Sequence, residues 1–205
     1  MTCAADILTA LDGTKPADAS GTEAFLQLMA TNVSQAVVTY VLASVTTSSV
    51  YSGAVIGTGA GAFTVLSVTL MSTLFEAGLK STTDVNNKIA EGFAKGLHAM
   101  LSAGTVTEAA SGTTTAVPPV PISFSGVGSA HTAIVPAHAF CSAALARMTT
   151  EQGSEQDKLK LMANSFAKIV DDFIPTISII TAGAGAVGAG AAIASVPAVD
   201  PTFPA

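Results

Sequence analysis

From Ala24 to Phe75 the chain carries no charged side chain, and from Phe173 to Val199 it again carries none. Tracts this long and this neutral must be buried, pack against copies or partners, or enter a membrane, because little else keeps such a surface in solution. The charges gather instead in blocks at Asp6–Glu23, Glu76–Lys95 with Glu108, and Arg147–Asp172. Charged residues make up 11% of the chain, against about 25% in soluble domains. With 49% hydrophobic residues among 205 and a mean hydropathy of +0.57, there is enough apolar surface for a core. The exposed remainder has to be largely Ser, Thr, Gly and Ala.

Membrane insertion is weighed against packing. In the first tract Thr and Ser interrupt each apolar run before about 18 residues accumulate. The second contains Pro175, four glycines and mostly Ala, a weak span. The N-terminus, MTCAADILTALDG, has no basic start and carries Asp6 and Asp12, unlike a secretory signal. The net charge of −6, with no Lys/Arg cluster, offers no footprint for nucleic acid or anionic lipid. Two distant cysteines, Cys3 and Cys141, build no disulfide framework.

The alternating blocks predict an internal repeat. Shifted by 73 positions, Phe93-Ala94-Lys95 falls on Phe166-Ala167-Lys168, and Ser81-x-x-Asp84 falls on Ser154-x-x-Asp157. Both Ser-x-x-Asp sets fit a helix-capping box, in which Ser accepts from the amide three residues on and the acid reaches back. Ser20-x-x-Glu23 begins an earlier copy. Helical spacing then places Ile89, Phe93 and Leu97, and Met162, Phe166 and Val170, on core faces of repeated helices. Each helix gives way to a Thr-rich or β-branched stretch and then to glycine at Gly53, Gly112 or Gly183.

The predicted fold is therefore α+β and mainly α-helical: two pseudo-repeated helical-hairpin units with short strands, plus an additional N-terminal helix. The predicted boundaries are an N-terminal segment 1–19, the N-terminal helix and first unit at 20–112, and a Pro/Thr-rich connector at 113–124. The second unit follows at 125–185 and a Gly/Ala/Pro-rich tail at 186–205.

No pattern of residues assembles convincing chemistry. Gly183, Gly185 and Gly188 match G-x-G-x-x-G after a β-branched run. Too little chain follows for the second strand and ribose-binding acid that dinucleotide binding needs. GTGAGA at Gly57–Ala62 lacks the Lys-Ser/Thr of a phosphate loop. His131, His138 and Cys141 could hold a metal only with a fourth ligand or a neighbouring subunit, since no Asp or Glu lies between Glu108 and Glu151. Asp171-Asp172 reads as a solvated pair at a helix end. No cofactor, metal or catalytic residue is expected, and the chain is read as not an enzyme.

The helical stretch Leu28–Thr47 passes through Tyr40-Val41 into Ser52-Gly53-Ala54-Val55 and then GTGAGAF at Gly57–Phe63. This succession of helix, Ser/Thr strand, glycine-rich tract and "AF" helix resembles small structural proteins of tailed bacteriophages. The resemblance implies a virion component of tail or baseplate, made in a host cytoplasm, oligomeric, and partnered by itself and other virion structural proteins without nucleic acid. The alternatives are a small membrane-active or membrane-inserted protein and, third, an enzyme or metal site shared between subunits.

Overall fold

A computed structural model describes residues 2–14, 20–132, 138–150 and 153–204. Helices and strands alternate in pairs: α1 (Cys3–Gly13), α2 (Thr22–Ser44), β1 (Val45–Gly53), β2 (Val55–Val65), α3 (Val68–Leu79), α4 (Val85–Ser102), β3 (Thr105–Thr114), β4 (Pro121–His131), α5 (His138–Thr150), α6 (Glu155–Phe173), β5 (Ser178–Gly183) and β6 (Ala186–Ala194). A helical hairpin followed by a β-hairpin thus occurs three times. Every strand pairs antiparallel with the next, and β6 returns to β1 from Val45↔Ala194 to Gly53↔Ala186, closing a six-stranded barrel. The helices close in the same way, each packing on its neighbour and α1 on α6. A closed helical ring therefore sits with a closed barrel.

This overturns the expected helix-dominated fold with short strands. The repeat itself has a structural counterpart, because β3 and β5 start at Thr105 and Ser178, 73 residues apart, as Phe93 and Phe166 are. The strands, however, are long. The segment 113–124 holds the end of β3, an exposed loop and the start of β4, and the stretch after 186 opens with β6. The short α1 lies within the segment set apart as 1–19.

Aromatic and aliphatic burial holds the helical ring. Phe93 and Phe166 stack with centroids 4.6 Å apart, and Phe75 of α3 meets both edge-on at 5.3 and 5.1 Å. Leu97 and Val170 are buried beside them, while Ile89 and Met162 pack on the core from partly exposed positions. α3 and α4 approach closely enough that a Cβ on Gly78 would lie 2.4 Å from the Lys88 carbonyl oxygen and one on Gly96 2.5 Å from that of Met71. Side chains at either place would push the two backbones apart.

Of the three predicted capping boxes, the one at Ser154 forms. Its Oγ accepts from the Asp157 amide at 3.1 Å, and the Ser154 amide donates to Asp157 Oδ2 at 3.3 Å. At the second, Asp84 is itself the N-cap residue of α4, in the left-handed region with φ 48°, and Ser81 Oγ donates to the Thr83 carbonyl instead. At the first, Gly21 is the N-cap residue, so Ser20 stands one residue outside the helix and Glu23 pairs with Lys80. A capping box works only with the Ser at the N-cap position itself, and at two of the sites the helix starts one or three residues later.

The residues after β6 strap the ring. Asp171 accepts from the Ala198 and Val199 amides at 2.8 and 3.1 Å, Asn164 bridges the Asp200 amide and the Pro204 carbonyl, and Ala4 N–H donates to Ala198 O. The Tyr40 hydroxyl donates to the Val196 carbonyl. Burial, with Asp171 nearby, pushes that phenol's pKa well up.

Candidate functional site

The barrel interior follows from strand alternation. Along β1, Val45, Thr47, Ser49 and Tyr51 point inward. On β3 these are Val106, Glu108 and Ala110, and on β5 Ile179 and Thr181. About eight strands give a barrel just wide enough to be filled by side chains, so a six-stranded one has less room. The even strands answer with glycine. A Cβ on Gly126 would lie 1.8 Å from the Tyr51 hydroxyl, and one on Gly59 or Gly188 2.7 Å from its ring. At the level of Tyr51 the odd strands thus supply the side chains and the even strands the space.

Glu108 lies at the centre with no solvent exposure. Thr47 Oγ1 and Ser49 Oγ donate to its Oε1 at 2.8 and 3.0 Å. Tyr51 OH and Thr181 Oγ1 donate to Oε2 at 3.0 and 3.1 Å, and lie 2.7 Å from each other. Among the described residues no cation pairs with it, so four hydroxyls from β1 and β5 do the work that a counter-ion would do elsewhere. Thr181 stands 73 residues from Glu108, at the repeat-equivalent place. Burial raises the Tyr51 phenol above its ordinary pKa; the Thr181 bond opposes this and the Glu108 carboxyl adds to it.

Apolar layers seal this polar belt. Val45, Phe63, Val106, Ala130, Ile179 and Ala192 join the main core. Beyond Tyr51 a second cluster forms with Val55, Ala110 and Ala186, against which Ile122 and Phe124 pack. Phe124 meets the Tyr51 ring edge-on at 5.0 Å. Through its four hydroxyl partners the enclosed Glu108 ties β1, β3 and β5 together. In the sequence Glu108 reads as the tail of a charge block. Its signal was isolation: one acid in the otherwise neutral tract TVTEAASG.

The expected absences of chemistry meet the following geometry. Gly183 ends β5, and Ala184 (φ 50°) and Gly185 (φ 72°) form the two-residue turn to β6, as a type I′ hairpin requires. Gly188 clears space for Tyr51. The G-x-G-x-x-G letters therefore spell a hairpin. Gly57–Ala62 lies within β2. Cys3 and Cys141 are buried free thiols, both with pKa raised by burial. His131 is exposed at the end of β4, and the side chain of His138 lies outside the described residues. Among the described residues no three metal-ligating side chains come together. Asp172 pairs with Lys168, while Asp171 holds the tail.

The barrel's outer face is the other feature that stands out. Apart from the inward Glu108, the six strands contain no Asp, Glu, Lys or Arg. Outward positions are Ser, Thr and Ala with single large residues between: Val50, Ile56, Val65, Val127, Ile180, Val187 and Ile193, each about half exposed or more. By length and composition α2 could cross a membrane, yet its Val33, Val37 and Val41 are buried in the ring. Compared with protein-family models, with curated proteins and with solved structures, the chain matches none.

Proposed function

We propose that this chain is a non-enzymatic structural component of a self-assembling particle and, following its resemblance to small tailed-phage proteins, a tail or baseplate component of a virion. One observation carries this reading: among the described residues every charge but the enclosed Glu108 lies on the helices, their caps and the C-terminal tail, and the outer wall of the barrel is neutral and dotted with Val and Ile. Exposed apolar surface rimmed by polar residues marks interaction sites. The sealed interior supports the same reading, since its one buried acid stabilises strand pairing and faces no cleft.

A membrane-inserted barrel is the second reading, favoured by the same neutral wall and by β1–β4 of 9 to 11 residues, the length of membrane strands. Ser and Thr at many outward positions weigh against a lipid-facing apolar band. Detergent-free sedimentation with electron microscopy, followed by flotation with phosphatidylcholine vesicles, separates the two. Regular particles or discrete oligomers that stay clear of the vesicles are the expected result. A chain that floats with vesicles, or remains monomeric alone and with candidate virion proteins, would overturn it.

A further inference from the structure

Strand register arranges the exposed residues of β4, β5, β6 and β1 in two neighbouring rows. One row runs Val127, Ala182, Val187, Ser52 and the next runs Ser129, Ile180, Ala189, Val50. Large and small residues alternate along each row and swap between the rows, so the face is a checkerboard of knobs and hollows. The knobs Val127, Ile180, Val187 and Val50 are 54%, 48%, 54% and 64% exposed.

A checkerboard complements itself. A twofold axis parallel to the strands and midway between β5 and β6 lays β5 of one copy over β6 of another. Ile180 then enters the hollow at Ala189, and Val187 the hollow at Ala182. Stacked sheets pack about 10 Å apart with interdigitated side chains, and an isologous contact needs this kind of match. Electrostatics select the same occupant. Among the described residues the charges other than the enclosed Glu108 lie on the helices, their caps and the C-terminal tail, with acids in excess, so helical ends of two copies repel each other while their neutral walls do not. A strongly charged partner would lose hydration against this wall with nothing opposite to compensate.

We propose that the β5–β6 face, with Val127 and Val50 at its sides, is the docking surface for the same face of a second copy of this chain. This rests on the building-block reading and names its first contact. Because two convex barrels touch over few strands, the contact is weak alone and effective when repeated in a particle.

The test is sedimentation velocity on the full chain over a wide concentration range, with thermal melts confirming that each variant folds. Ile180→Lys places a charge in the contact and should raise the concentration for half-association at least tenfold. Ala182→Phe fills a hollow while making the face more apolar. It should weaken association as well, whereas a merely sticky face would associate more tightly. Val65→Lys, on β2 away from the face, should change nothing. The face is overturned if Ile180→Lys and Ala182→Phe leave association unchanged, in which case the building-block reading stands and the contact lies elsewhere. It is also overturned if Ala182→Phe tightens association. A wild-type chain that stays monomeric throughout overturns self-docking, and co-sedimentation with virion proteins then judges the broader reading separately.

Discussion

In the helical ring the meeting point is Phe75, Phe93 and Phe166, all without solvent exposure and held by ring contacts of 4.6 to 5.3 Å. In the barrel the corresponding place belongs to a carboxylate, four hydroxyls and a lining of glycine. Both regions close on themselves, but the ring does so by filling volume and the barrel by sparing it. Among the described residues the ring carries most of the charge and the barrel wall carries none. Two neighbouring layers of one chain therefore follow different rules: the first is undone by removing atoms, the second by adding them.

The largest effect should come from the ring. Phe166→Ala removes a ring that touches both Phe93 and Phe75 and should cost about 3–5 kcal/mol, measured by denaturant unfolding. A loss near 1 kcal/mol would mean that the aromatic cluster is not what holds the helices together. Next is Glu108→Ala, which leaves four hydroxyls without their acceptor and opens a void, for about 3 kcal/mol or more. Glu108→Gln keeps the shape, and Tyr51 can still donate to Thr181 across 2.7 Å, so it should stay within about 1–2 kcal/mol of the wild type. Equal losses for Ala and Gln would make the charge, rather than the shape and the acceptors, the essential feature.

Gly126→Ala adds one methyl group where a Cβ would meet the Tyr51 hydroxyl at 1.8 Å, and should cost about 1–3 kcal/mol. Tyr51→Phe removes that oxygen, so a double-mutant cycle should show the pair to be non-additive, with the double variant better than the sum. Additivity would refute the claim that glycine serves this side chain. The smallest change is Asp171→Ala, about 1–2 kcal/mol. By hydrogen exchange it should appear as lost protection at Ala198 and Val199, with the barrel amides unchanged.

The two layers also differed in how readable they were. Ile89, Phe93 and Leu97 recur at helical spacing, and so do Met162, Phe166 and Val170, because a helix buries one stripe and shows it as a period. The barrel hides its period. Its even strands place Gly59, Gly126 and Gly188 inward while Ile56, Val127, Val187 and Ile193 stand outward among Thr, Ser and Ala, so the apolar-in, polar-out alternation that marks a strand is missing. Closure depends on Val45 meeting Ala194 across most of the chain, a pairing that no local spacing encodes. Glycines at Gly183 and Gly185 were visible, but their role turned on the left-handed backbone of Ala184 and Gly185, which letters alone do not give. Glu108 was visible as a lone acid; that β1 would bring Thr47, Ser49 and Tyr51 to it depended on barrel register.

The measurement that bears most directly on the central claim, a neutral barrel wall as the assembling surface, is the light-scattering mass of the detergent-free chain at rising salt. Contacts through uncharged surface are not screened, whereas charged ones weaken as the Debye length falls from about 10 Å at 0.1 M to about 3 Å at 1 M. The account predicts a mass above that of the 20.3 kDa chain that holds or grows with added NaCl. A single-chain mass at every concentration, or an oligomer that falls apart as salt rises, would contradict it.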